Sequence, residues 1–305
     1  MSRRISFTVR KFLLLILLLN MFSGQASAEG DILILQSLPI KPYTEALKGF
    51  RSVCSFYSRM VISSGFNEEG IAEKLWKYRP QLILAIGEDA FAKVRKIRDV
   101  PIVYVMVLNP QLVVRTGNNI TGVSMMIAPE MQLNQLRRIL PRFRKIGLLF
   151  DPAKSGAFVD RARHYALQEG IALLTQEVHS SREAVAADDK LKGKIDALWL
   201  IPDTTVVNSE TIDLLFLSAI DNRIPLLTFS GKYVEKGALL AIEVDAEEAG
   251  RQAGEMANKI LSGTNVKDIE RQDAHDGIVT VNLAVAKKLD ITIDDSLVKR
   301  ARLIK

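Results

Sequence analysis

The sequence predicts an α/β protein, doubly wound and built as two units. Short aliphatic runs recur along the chain, amphipathic stretches separate them, and most runs are apolar at successive positions. Apolar residues in succession mark strands covered on both faces, and strands alternating with helices imply parallel sheets with right-handed crossovers.

In chain order the strand candidates are Ile32–Leu35, Leu82–Ile86, Ile102–Val107, Ile146–Phe150, Ile171–Leu174, Ala197–Ile201, Leu226–Phe229 and Leu239–Ile242. Helices are expected over Tyr43–Phe56, Asp89–Ile97, Glu130–Leu140, Ala157–Gln168, Ser209–Asn222 and Ala246–Leu261. Pro129 and Pro141 bracket the third helix and Gly170 closes the fourth, which are ordinary start and stop signals. The first unit ends near Asn118–Ser124, read as a polar, glycine-containing bridge. No long Pro/Ser linker follows, so a hinge between two lobes is expected instead of independent domains.

The start of the chain reads as an export signal. Arg3, Arg4, Arg10 and Lys11 precede the apolar run Phe12–Leu19, and the small residues Ser23–Ala28 end in Ala-x-Ala, placing cleavage before Glu29. The apolar core is shorter than the roughly 20 residues that span a bilayer, which argues against a retained anchor. With no cysteine at that point for lipid attachment, the expected location is the periplasm. The formal charge of +6 resides largely in this segment: without it, 37 basic residues face 35 acidic ones. A near-neutral remainder lacks the basic footprint of a nucleic-acid binder.

Cys54 is the only cysteine, so no intrachain disulfide forms, and its neighbours Phe50, Val53, Phe56 and Tyr57 make it a small buried hydrophobe. A reactive thiol needs an adjacent base, and His164, His179 and His275 are distant and scattered. The chain contains no Gly-x-Gly-x-x-Gly, Walker loop, His-Glu-x-x-His or Gly-x-Ser-x-Gly. No enzyme, cofactor or metal site is therefore expected.

In open parallel sheets, ligands gather beyond the carboxyl ends of strands, where helix starts offer unpaired N–H groups. There this chain carries Gln36, Ser37 and Tyr43; Gly87, Glu88 and Asp89; Asn109; Asp151 and Ser155; Asp203, Thr204 and Thr205; and Ser230. Singly, Asp89, Ser155 and Thr204 also suit helix capping. Together, polar loops converging from two lobes make a ligand cleft.

The ordered series Asp31–Gln36, Gly87, Pro101–Val105, Asn119-Ile120-Thr121-Gly122-Val123-Ser124, Pro202–Val207 and Gly237–Leu239 resembles the substrate-binding proteins of ABC-type importers. These have the type I periplasmic-binding-protein fold, and the branch most alike takes up aromatic or other amino acids. The resemblance implies two lobes joined by three crossings near Val123–Ala128, Ser230–Lys236 and Gly263–Asp268. Lobe one would take 29–125 and 231–263, and lobe two 126–230 and 264–305. It also implies a monomer that traps a small-molecule ligand between closing lobes and delivers it to a membrane permease, with no nucleic acid involved. A sensor presenting its closed form to a membrane receptor or histidine kinase is the alternative.

The chain departs from the pattern in places. Glu88 replaces the usual small hydroxyl residue, Asn109 stands where Asp often precedes proline, Thr204 replaces the Asn beside Asp203, and Phe50–Gly70 is short and lacks a clear strand. For a zwitterionic amino acid, Asp203 is the expected partner of the ammonium, with Ser37, Asp89 and Thr205 as further contacts. Glu88 and Asp89 suit a helix start but repel a ligand carboxylate. Either the ligand is more cationic or lacks a carboxylate, or one acid caps the helix while the other faces water.

Overall fold

The computed structural model describes residues 32–54, 68–110, 119–294 and 300–304. The expected export signal and most of Phe50–Gly70 lie outside the described residues.

The aliphatic runs form two sheets. Ile32–Gln36 (β1), Leu82–Ile86 (β2), Ile102–Val107 (β3) and Ile120–Ile127 (β4) pair in parallel, and Gln272–Ala274 (β10) joins β4, giving the order β1-β2-β3-β4-β10. Ile32 and Ile34 pack beneath helices α1 (Lys41–Val53) and α9 (Ala246–Leu261). Leu33 and Leu35 pack on the other face against α2 (Glu68–Tyr78) and α3 (Glu88–Val94). Both faces being dry, the strand is apolar from Ile32 to Leu35.

The second sheet has the order β12-β11-β9-β8-β7-β5-β6. Its strands are Lys145–Phe150 (β5), Ala172–Glu177 (β6), Ala197–Trp199 (β7), Leu226–Thr228 (β8), Leu240–Val244 (β9), Gly277–Asn282 (β11) and Arg302–Ile304 (β12). The pairings are parallel except β11 against β9. Helices α4 (Pro129–Ile139), α5 (Pro152–Gln168) and α10 (Leu283–Lys288) cover one face. Helices α6 (Ser181–Asp189), α7 (Ile212–Asp221) and α8 (Gly231–Glu235) cover the other. Edge strand β6, which among the described residues pairs with β5 alone, is only half-buried, which accounts for its Thr175-Gln176-Glu177 end.

Three expectations need correction. The Asn118–Ser124 bridge is in its described part the start of β4, a central strand whose residues 120–124 are all buried. Its polar side chains are satisfied inside the fold. Asn119 Nδ2 donates to Ile97 O at 2.9 Å and Val100 O at 2.8 Å, Thr121 Oγ1 to Ile269 O at 2.9 Å, and Ser124 Oγ to Asp273 Oδ1 at 2.7 Å. At Gly122 a Cβ would lie 2.2 Å from Tyr104 O and 2.6 Å from the Tyr104 ring, so the packing itself requires glycine.

The second and third crossings also shift. Segment 231–244, expected in lobe one, forms α8 and β9, and β9 pairs with β8 and β11 of the second sheet. Segment 264–274, expected in lobe two, ends in β10, which pairs with β4 of the first. Chain passage between sheets therefore falls at Ile127–Pro129, Val244–Ala246 and Ala274–Gly277. The third correction concerns α5, which starts at Pro152, five residues before the expected Ala157, because the Asp151 carboxylate accepts from Ala153 N and caps it.

Candidate functional site

On the first sheet the strand ends build a tight polar corner. Ser37 Oγ donates to Ile86 O at 3.1 Å and accepts from Ala90 N at 2.9 Å, tying the end of β1 to the start of α3. Gln36 is buried and donates to Leu38 O at 2.7 Å. Gly87 takes φ +88°, with the Tyr43 ring 2.6 Å and Ser37 Oγ 2.7 Å from where a Cβ would stand. Only a residue without a side chain fits that turn.

Glu88 and Asp89 both reach solvent from the first turn of α3. Partial burial pushes the Glu88 carboxyl above the usual carboxylate range; a hydrogen bond from the Leu108 amide opposes this, and Asp89 adds to it. The Tyr43 phenol is raised by burial first, then by Asp89 and Glu88. Beyond β2, the end of β3 is irregular. Its register shifts between Val105 and Val107, Met106 takes φ +58° and Asn109 φ +47°. Such a bulge re-aims the chain leaving a strand, and here it carries Asn109 and Pro110 to a cavity wall.

On the second sheet the ends of β5 and β7 are welded together. Asp203 is 1% exposed; its Oδ2 accepts from Asp151 N at 2.8 Å and its Oδ1 from Thr205 N at 2.9 Å. Thr205 Oγ1 donates to Asp151 Oδ2 at 2.7 Å. For Asp151 burial opposes ionisation, yet the Thr205 hydroxyl and Ala153 amide hold its carboxyl below the ordinary value. Asp203, expected to receive a ligand ammonium, accepts two backbone amides inside the protein. Ser155 is buried in α5, Thr204 is exposed and accepts from Lys154 Nζ at 2.8 Å, and Ser230 is half-buried before α8.

A cavity of about 280 Å³ opens between the two sheets, beside the first and third crossings. The first lobe contributes Tyr104, Asn109, Ser124, Arg271 just before β10 and Asp273 within it; the second contributes Phe158 and Arg161 of α5. Tyr104 is backed by Phe91 with ring centroids 5.0 Å apart, and Phe158 by Trp199 at 5.8 Å. Two aromatic walls thus come from different lobes. The Tyr104 phenol is pushed far up by burial, with Arg271 opposing and Asp273 reinforcing, so it stays a protonated donor at neutral pH. Among the described residues no cluster of three His, Cys, Asp or Glu is placed to hold a metal.

Of the expected contacts, only Asn109 lines this cavity. Ser37, Gly87, Glu88 and Asp89 gather at the neighbouring corner of lobe one, and Asp151, Asp203 and Thr205 in their own network. Sequence reasoning missed Tyr104, Phe158, Arg161 and Asp273. The one local signal was a tyrosine interrupting the aliphatic run 102–107. The rest converge only through the sheet ends and the crossings.

A family model described as ABC transporter substrate binding protein matches residues 67–305. The chain is 28% identical over 232 residues to the tyrosine-binding protein of Clostridioides difficile (strain R20291), covering 73% of this chain and 67% of that one. It is similar to the ligand-free, open structure of a substrate-binding protein with adhesive properties from Clostridium difficile, with TM-score 0.71 and 26% identity over 90% of this chain and 99% of that one. An ABC domain from Streptococcus pneumoniae in complex with L-Trp has the same fold, with TM-score 0.60 and 22% identity over 90% and 99% of the two chains.

Proposed function

The chain belongs to the ABC transporter substrate binding protein family, and from that premise we propose that it captures an amino acid or closely related small polar solute between its lobes and passes it, chemically unchanged, to a membrane permease. The observation that carries this reading is the cavity of about 280 Å³ with one aromatic wall from each lobe. Its size is near the lower end of small-molecule pockets, roughly 300 Å³, which suits a solute of amino-acid size.

Asn109 on one side and Ser124 behind it supply polar contacts, and the corner of Glu88, Asp89 and Tyr43 forms the adjoining rim. Binding shifts the population of open and closed forms by the ligand's differential affinity for the closed one. The lobes in this reading are 29–127 with 246–274, and 129–244 with 277–305; sheet membership supports the division. The molecule works as a monomer in the periplasm after cleavage at Ala28. Among the described residues no helix is long and apolar enough to cross a membrane, and members of this family act outside the cytoplasm.

A thermal-shift and calorimetry panel of L-tyrosine, L-tryptophan, other amino acids, nucleosides and sugars tests the reading. A ligand at 100 times its Kd adds about 2.7 kcal/mol to the native state and raises the transition. No shift with any amino acid, or turnover of one, would sink it.

A further inference from the structure

The cavity wall holds a chain of side chains that runs from one lobe to the other. Ser124, within β4, donates to Asp273 Oδ1 at 2.7 Å. Asp273 Oδ2 accepts from Arg161 Nη1 at 2.9 Å. The other edge of the Arg161 guanidinium grips Glu130, with Nε–Oε1 3.1 Å and Nη2–Oε2 2.9 Å. Ser124 and Asp273 stand on the first sheet; Arg161 and Glu130 stand on helices of the second. Ser124 and Glu130 flank the first crossing, and Asp273 immediately precedes the third.

A planar guanidinium with donors on two edges is the group that joins two carboxylates at a fixed angle, which an ammonium on a flexible stem does not do. Its side chain is 50% exposed and that of Asp273 27%, so the ion pair touches water and is open to screening by salt. The pairs form a connected, partly bidentate network, the arrangement in which exposed charges do contribute.

We propose that Arg161 is the positioning residue of the hinge: through Asp273 it fixes the angle at which the lobes meet, and so pre-sets the ligand cavity. This rests on the two-lobe binding reading above. Without the strut the ligand-free lobes sample a wider range of angles, and only the fraction near the competent one binds, so apparent affinity falls in proportion.

The test uses nitroxide labels at Lys96→Cys on lobe one and Lys190→Cys on lobe two, both exposed, with Cys54 buried and unlabelled. Expected in ligand-free protein is a narrow interlobe distance distribution that broadens in Arg161→Met, and equally in Asp273→Asn, which keeps an acceptor for Ser124. High salt broadens the parent towards the variants and leaves the variants unchanged. L-Tyrosine affinity falls roughly fivefold, the equivalent of an ion pair near the top of its usual range. Identical widths in parent and both variants would overturn the inference, even if melting temperatures differ. If L-tyrosine moves neither the distance nor the melting temperature of the parent, the binding reading falls for this solute, while the ligand-free widths still decide the role of Arg161.

Discussion

Asp203 bears the clearest consequence at the scale of one residue. With 1% exposure and each oxygen accepting a backbone amide, it joins the ends of β5 and β7. Asp203→Ala orphans two buried donors, at roughly 1–3 kcal/mol each, and is expected to lower the urea midpoint of ligand-free protein strongly. An unchanged midpoint would return Asp203 to the role of a ligand contact. Asp188 makes the opposite case. Burial, with the nearby Asp189, raises its carboxyl above the ordinary 3.8, although the Ser218 hydroxyl and Lys192 oppose the shift. The folded state therefore holds that proton more tightly than the unfolded one. The stabilising contribution is complete below pH 3.8 and is lost as pH rises through the folded value. Asp188→Asn, which retains an acceptor for Ser218, should melt higher than the parent at pH 7 and match it near pH 3. A difference that grows towards acid would refute the assignment.

At the scale of elements, the tightest contact is α1 across α9. Gly49, Gly250 and Gly254 allow it: a Cβ on Gly250 would stand 1.9 Å from Ala46 O, and one on Gly49 1.7 Å from Glu247 O. Both obstacles are backbone, so neither can swing aside. Gly250→Ala should cost about 1–3 kcal/mol or more as overpacking, read as a lowered denaturation midpoint with little change in slope. Parental stability in that variant would mean the helices can separate freely. Both helices were legible in the sequence as Tyr43–Phe56 and Ala246–Leu261, but that they pack on each other, some 200 residues apart, was not. Strand β4 shows the same limit. Asn119, Thr121 and Ser124 look like loop residues because the carbonyls and carboxylate that satisfy them come from distant segments.

For the whole molecule, the two sheets and the cavity between them imply a ligand-dependent shape. Small-angle scattering with a saturating ligand from the panel should show a smaller radius of gyration than ligand-free protein, and the closed form should melt higher. Superimposable profiles with a ligand proven to bind would mean that no closure accompanies capture. What the sequence by itself determined was the α/β class, the strand cores and the family likeness. Those signals are local, since continuous burial writes itself into continuous apolarity. Only the tertiary structure decided where the chain passes from one sheet to the other, that Asp203 accepts two backbone amides inside the protein, and that Tyr104, Phe158, Arg161 and Asp273 share one cavity. The physical reason is that a crossing has no residue pattern of its own. It is set by which sheet edge a strand finds, and a cavity wall is the sum of segments that meet only after both sheets have formed.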